Sequence, residues 1–326
     1  MKLSPTPLRI GTRGSALALW QTEWIRSLLA GAGQETQRVQ IKTTGDLAPE
    51  VPLSQLGSRA LFTKQIDDAL LEGRIDLAVH SLKDLPTQLP PGIVIGAVGQ
   101  REDPSDALVT RGGAGWKAMP EGAVIGTSSL RRRAQLLHAR PDLRIVDLRG
   151  NVDTRVSKLD SNREWTAIVL AAAGLLRLGL GHRIVERLSA EVMLAAPGQG
   201  ALAVTVRTDD RSVAGAIRET VHDPATGLQV SAERAFLSRL EGGCQVPVAA
   251  QASLHPAGPG TVLRLHGRVL SPDGNTMMEG RQAGTVADEE EAAQIGVTLA
   301  EQLLADGAGA ILGTARTTPL PVVTEP

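Results

Sequence analysis

Gly122-Ala123-Val124-Ile125-Gly126-Thr127-Ser128-Ser129-Leu130-Arg131-Arg132-Arg133 is the stretch from which the fold follows. A short apolar run between glycines predicts a buried strand, and Ser128 or Ser129 predicts the N-cap of a helix that begins at once. The same strand–turn–helix order recurs outward from it. Leu8-Arg9-Ile10 leads through Gly11-Thr12-Arg13-Gly14-Ser15 into a helix of about 15 residues, capped by Ser15 and stopped at Gly31 and Gly33. A second strand is expected at 39–43. A helix over 62–71, stopped at Gly73, feeds a strand at 75–80, and strands at 144–148 and 167–171 each precede a helical pattern. Such βαβ alternation predicts α/β architecture with mainly parallel, doubly wound sheets.

Beyond residue 220 the pattern changes. A helix over 225–240 is followed by a Gly-Gly-Cys loop, three alternating runs near 248–254, 262–270 and 276–286, and a helix over 288–304. The acidic first turn of that last helix, Asp288-Glu289-Glu290-Glu291, suits the positive end of a helix dipole. This region reads as α+β with a three-stranded antiparallel sheet, and the residues from Thr317 onward read as a loose tail.

Composition narrows the function. At 326 residues the chain exceeds one core, since about 150 residues per domain is usual. Two Phe, four Trp and no Tyr leave little aromatic surface on which single-stranded nucleic acid could stack. A net charge of −1 supplies no global field for nucleic acid or membrane. There is no apolar run of spanning length, no signal-like N-terminus and only one cysteine; together these predict a cytoplasmic protein without disulfides. No metal site is expected, and with no conspicuous hydrophobic stripe a monomer is.

The arginines, by contrast, are placed on strand-end loops, where doubly wound folds bind ligands. Arg131, Arg132 and Arg133 occupy the first turn of a helix, where cations oppose the dipole by roughly 0.3–1 kcal/mol each. An anion on the helix N-terminus resolves that conflict. Arg13, Arg149, Arg155 and Arg177 follow other strands. Arginine is what bidentate recognition of carboxylate or phosphate requires, so a polyanionic ligand is expected, of either kind. Asp84, in Val79-His80-Ser81-Leu82-Lys83-Asp84-Leu85-Pro86, is either a turn carboxylate paired with Lys83 or a group that meets developing positive charge. His80 lies in the strand's apolar run and reads as structural. Cys244, in Leu240-Glu241-Gly242-Gly243-Cys244-Gln245-Val246-Pro247, is the only thiol; by itself a lone cysteine is an inert small hydrophobe, but paired glycines let another body come close.

Taken together, these motifs resemble the porphobilinogen deaminase family. The segments are Gly11–Ser15 with Leu17-Ala18-Leu19-Trp20-Gln21, Leu61-Phe62-Thr63-Lys64, His80–Pro86, Gly126–Arg132, Leu148-Arg149-Gly150-Asn151 with Thr154-Arg155, Pro197-Gly198-Gln199-Gly200, and Glu241–Cys244. They run in family order at family-like spacing. The resemblance implies a transferase of tetrapyrrole (porphyrin, heme) biosynthesis that condenses four porphobilinogen molecules onto a dipyrromethane primer with loss of ammonia, then releases the linear hydroxymethylbilane by hydrolysis. It also implies two periplasmic-binding-protein-like domains flanking a cleft, residues 1–99 with 200–218 and residues 100–199, and a third domain at 219–326.

On matching positions the resemblance implies a catalytic Asp84 and a thioether from Cys244 to the dipyrromethane. Cofactor contacts fall to Lys83, Asp84, Thr127, Ser129, Arg131, Arg132, Arg149 and Gly150. Substrate contacts fall to Arg13, Ser15, Gln21, Phe62, Ser81, Arg149, Arg155, Arg177, Gln199 and Gly200. Arg133 lies outside the family's usual pair and is expected to face solvent. Residues 47–58 read as a lid, and the chain departs from the family pattern at Gly57-Ser58-Arg59-Ala60 and at Gln65. Two other readings use the same residues. A non-catalytic two-lobed anion binder gives Asp84 and Cys244 no purpose, and a phosphate-handling enzyme lacks a P-loop or acidic metal cluster.

Overall fold

The computed structural model describes residues 6–43, 63–240, 246–257 and 260–317. Three sheets organise them. The first has five strands in the order β2-β1-β3-β10-β4, where β1 is Leu8–Thr12, β2 Thr36–Gln40, β3 Leu77–Ser81, β4 Ile93–Val98 and β10 Leu202–Arg207. The second repeats that layout as β7-β6-β8-β5-β9, with β5 at Asp106–Thr110, β6 Val124–Gly126, β7 Arg144–Val146, β8 Ala167–Ala171 and β9 Glu186–Arg187. The third is an antiparallel meander of β11 (Val248–Ala257), β12 (Gly260–Leu270) and β13 (Met277–Val286). The chain falls into two compact units: residues 1–102 with 201–227, and residues 103–200 with 228–326.

Strand–helix alternation holds, with shifted boundaries. Helix α1 (Ala16–Gly31) is capped by Ser15, whose Oγ accepts from Ala18 N at 3.3 Å. The second strand begins three residues earlier than 39–43, and α2 is Lys64–Leu71. In the second unit β6, β7 and β8 lead into α3 (Leu130–Ala139), α4 (Val152–Ser161) and α5 (Ala172–Arg177). Helices α6 (Arg211–Val221) and α7 (Pro224–Arg239) follow β10, while α8 (Glu289–Ala305) and α9 (Ala308–Thr317) follow the meander. Asp288 caps α8, accepting from Glu290 N and Glu291 N at 2.9 Å. The expected loose tail lies in part beyond residue 317, outside the described residues.

The expectation of mainly parallel sheets needs correction. In each five-stranded sheet two pairings are parallel and two antiparallel. The inserted strands, β10 and β5, follow the points where the chain passes from one unit to the other, so neither arrives by a helical crossover from its sheet neighbour. The insertion has a consequence for chemistry. Antiparallel pairing sets the first residue of β5, Asp106, opposite the last residue of β8, Ala171. It likewise sets Leu202 opposite Ser81 at the end of β3. Both sheets thus bring the start of a strand to the edge where the ligand loops emerge.

Aliphatic side chains build the cores. Ile10, Ile25, Leu77 and Val204 pack in the first unit, Ile125, Leu136 and Val169 in the second sheet, and Phe236, Leu265 and Leu299 under the meander. Among the described residues, no single helix is long and apolar enough to cross a membrane.

Candidate functional site

The first unit gathers its candidate residues at the carboxyl ends of β1 and β3. Residues 82–84 form a single 3-10 turn directly after β3. Leu82 and Leu85 are buried on either side, and Leu82 N donates to Ala201 O at 3.0 Å. Pinned in this way, the turn leaves Asp84 exposed. Lys83 is half-buried beside it. Gln21 is buried on α1 and donates from Nε2 to Ser81 Oγ at 2.8 Å, so these two candidates meet. Ser15 serves as the cap of α1, and Arg13 is half-buried in the preceding turn. His80 is structural, as expected. It is buried, its Nε2 lies 3.1 Å from Thr205 Oγ1, and burial, with the Arg13 charge adding to it, pushes its pKa down to about 4. Phe62 lies outside the described residues, as do the proposed lid at 47–58 and Arg59. Gln65 lies within α2.

The second unit gathers its candidates at the ends of β6, β7 and β8. Ser129 is the N-cap of α3 and accepts from Arg132 N at 3.4 Å; Thr127 Oγ1 accepts from Ser129 N at 3.2 Å. Ser128 instead joins two loops. Its Oγ donates to Leu148 O and accepts from Leu148 N, both at 3.0 Å, which holds Arg149 next to the α3 turn in a fixed register. Gly150 has φ +115°, in the left-handed region, and its carbonyl accepts from Arg155 Nε at 2.7 Å. Arg177 Nη2 donates to Gly200 O at 2.6 Å, and buried Gln199 donates from Nε2 to Pro104 O at 2.7 Å.

Asp106, which the sequence reading missed, is central to the site. Fully buried, it receives Arg131 Nη1 at 2.7 Å and Arg132 Nε at 2.8 Å. Arg131 Nη1 also donates to Leu194 O at 2.6 Å, and Arg132 Nη1 to Val169 O at 3.0 Å. The clash between these cations and the helix dipole, which suggested an outside anion, is therefore met at Arg131 and Arg132 by a carboxylate of the chain itself. A lone Asp opening the apolar run Ala107-Leu108-Val109 was the available signal, since a buried carboxylate needs a cationic partner. Arg133 is also corrected. It is half-buried rather than solvent-facing, and its Nε is a buried donor without an acceptor among the described residues.

Arg149 behaves differently from the pair. Its Nη1 is buried with no hydrogen-bond partner among the described residues. Burial pulls the guanidinium below its ordinary pKa, against Asp147, which raises it. A buried, unanswered N–H on a cation costs roughly 1–3 kcal/mol or more, which a ligand carboxylate would recover. The arrangement thus fits an anionic group held at the β7 loop. Cys244 lies outside the described residues.

Comparison with known proteins points the same way. A family model described as porphobilinogen deaminase, dipyromethane cofactor binding domain, matches residues 8–215, and one described as the porphobilinogen deaminase C-terminal domain matches 227–305. The porphobilinogen deaminase of Syntrophotalea carbinolica is 49% identical over 324 residues, covering 98% of this chain and all of its own length. That of Rubrobacter xylanophilus is 51% identical over 311 residues, covering 95% of this chain and 97% of its own. Among solved structures, a nutrient binding protein from Burkholderia cenocepacia bound to methionine shares 13% identity at a TM-score of 0.41, covering 64% of this chain and 90% of that one. A likeness of that size has no bearing on ligand or mechanism.

Proposed function

Since the chain belongs to the porphobilinogen deaminase family, we propose from its geometry how its own residues divide the labour of that family's reaction. The activity is hydroxymethylbilane synthesis: a transferase joins porphobilinogen units head to tail on a dipyrromethane cofactor, in tetrapyrrole and heme biosynthesis. When bound, the dipyrromethane supplies the pyrrole position to which the first unit is joined.

Arg149 holds a cofactor or product carboxylate, and its buried unanswered Nη1 is the observation that carries this reading. Arg131 and Arg132, already aligned by Asp106, present what remains of their donor forks to carboxylates of the cofactor and of the incoming porphobilinogen, with Ser129 and Thr127 fixing the turn. Lys83 and the Gly150 backbone complete the cofactor contacts. Arg13, Ser15, Gln21, Phe62, Ser81, Arg155, Arg177, Gln199 and Gly200 receive the incoming porphobilinogen. Every pyrrole carries an acetate and a propionate, which is why many guanidiniums and few aromatics suit this ligand.

Asp84 is the catalytic residue. Its exposed carboxylate, on a turn held by Leu82 and Leu85, stabilises positive charge that develops on the substrate as ammonia leaves, then accepts the ring proton lost after coupling. Cys244 anchors the cofactor as a thioether and does not turn over. Such a covalent anchor would keep the primer at high effective concentration beside the residues that bind porphobilinogen. Supporting a three-domain division at 1–99 with 200–218, 100–199 and 219–326 are three sheets with separate apolar cores. A cytoplasmic monomer, without nucleic-acid or membrane partners, completes the reading.

Intact-mass measurement after expression with porphobilinogen present tests the anchor. The parent protein should carry the mass of two pyrrole units, and Cys244→Ser the bare-chain mass. A fully loaded, fully active Cys244→Ser would refute the anchor.

A further inference from the structure

One face of the meander behaves unlike the exposed face of an ordinary two-layer sheet. Along β12, residues 263, 265, 267 and 269 point to the core under α8, so 264, 266 and 268 share the opposite face. On that face Arg264 is exposed and His266 half-buried, yet Arg268 is only 3% exposed. Glu279 of β13 accepts from Arg268 Nη2 at 2.8 Å and from its Nε at 3.1 Å. Arg268 Nη1 turns the other way, donating to Gln135 Oε1 on α3 at 2.9 Å and to Glu191 O at 3.3 Å. An arginine on a sheet face that would otherwise meet solvent is thus buried by reaching a helix of the neighbouring layer.

Gln135 is the next link. Its amide grips the Leu194 backbone at two points, Oε1 accepting from Leu194 N at 2.8 Å and Nε2 donating to Leu194 O at 3.0 Å. That same Leu194 carbonyl accepts Arg131 Nη1 at 2.6 Å, and Gln135 Nε2 also reaches Arg131 O at 3.3 Å. From Glu279 to Arg132 the sequence of contacts is continuous: Glu279, Arg268, Gln135, Leu194, Arg131, Asp106, Arg132. A second clamp lies alongside. The β12–β13 turn rests on α3 so closely that a Cβ at Gly274 would meet Ala134 O at 2.6 Å, and Gly274 O lies 2.8 Å from His138 Nδ1.

We propose that Arg268 is a positioning residue for the condensation, fixing the Arg131 guanidinium through Gln135 and the Leu194 carbonyl. Because Gln135 Oε1 accepts from Arg268 and from Leu194 N at once, loss of Arg268 removes one of the two donors that orient its amide and loosens its grip on Leu194. The Leu194 carbonyl is then held less firmly in its aim at Arg131. The C-terminal sheet in this way sets the geometry of a carboxylate contact on another layer of the same unit. The inference rests on the ligand role proposed above for Arg131.

The test uses full-length, cofactor-loaded protein. Arg268→Met keeps the aliphatic bulk and removes the donors. It should load the cofactor normally by intact mass and raise KM for porphobilinogen by about fivefold or more, with kcat within about twofold. Gln135→Met, which breaks the relay at its middle and leaves Arg268 with Glu279, should do the same and decides the matter if Arg268→Met does not fold. Val286→Ala, a truncation in the core of the same sheet but off the relay, should lower thermal stability without moving KM. The proposal is overturned if neither relay variant raises KM, or if Val286→Ala raises it equally. Arg131→Lys separates the two levels. If it raises KM while the relay variants do not, the relay alone fails; if it leaves KM unchanged, the ligand role beneath it fails.

Discussion

Asp106 and Arg131 form a fully buried ion pair, Oδ2 to Nη1 at 2.7 Å, in which the carboxylate opens a strand and the guanidinium opens a helix. The same carboxylate holds Arg132 at 2.7 Å. One buried carboxylate thus pairs with two guanidiniums in the interior of the second unit.

Such a cluster is stable only while complete. Asp106→Asn removes the carboxylate that bridges both guanidiniums and should destabilise the protein by about 3–5 kcal/mol, seen as a fall in the urea midpoint. A loss under about 1 kcal/mol would show that the arginines find water or another acceptor without cost.

Asp84 should separate stability from turnover. The residue is exposed on its turn, so Asp84→Asn should shift stability by no more than about 0.5 kcal/mol. Turnover should fall by at least about 100-fold with the cofactor still attached by mass. Near-normal turnover would remove Asp84 from the chemistry.

His80 predicts a pH dependence. Its pKa is held at about 4 in the fold, against 6.5 when unfolded, so the unfolded chain binds a proton there first as pH falls. The stability it contributes is complete above pH 6.5 and is lost between that value and about 4. The slope should disappear in His80→Gln, which should recover about 2–3 kcal/mol relative to the parent between pH 7.5 and 4.5. Equal slopes in the two proteins would place the titrating group elsewhere.

At Gly150 the backbone has φ +115°, and a Cβ would stand 2.9 Å from Thr154 Cγ2. Gly150→Ala should therefore cost about 1–3 kcal/mol in thermal stability. It should also reduce cofactor occupancy by mass, because the strain displaces neighbouring Arg149. Full stability and full occupancy together would mean that the loop relaxes freely.

Much of the site was legible along the chain. Gly126–Arg132, Leu148–Gly150 and His80–Asp84 each read as strand, turn and candidate side chain, because local conformation and the residue type that a loop presents are short-range matters. Asp106 and Arg268 were not legible. Asp106 is 25 residues from Arg131, and Arg268 is 133 residues from Gln135; neither has a local pattern naming its partner. Nor did the repeated strand order of the two large sheets leave any repeat in the sequence, since topology constrains only hydrophobic spacing and not residue identity.

The sequence by itself determined the α/β class with an appended antiparallel meander, the family, and the strand-end loops that carry charge. Only the tertiary structure decided where that charge is answered. Strand direction is set by pairing across the sheet, and the antiparallel entry of β5 brings Asp106 to the arginine turn. Burial then turns a surface-like motif into an internal ion cluster. It leaves Arg149 with a donor unanswered among the described residues, and gives Arg268 a partner on a helix that its own strand pattern never indicated.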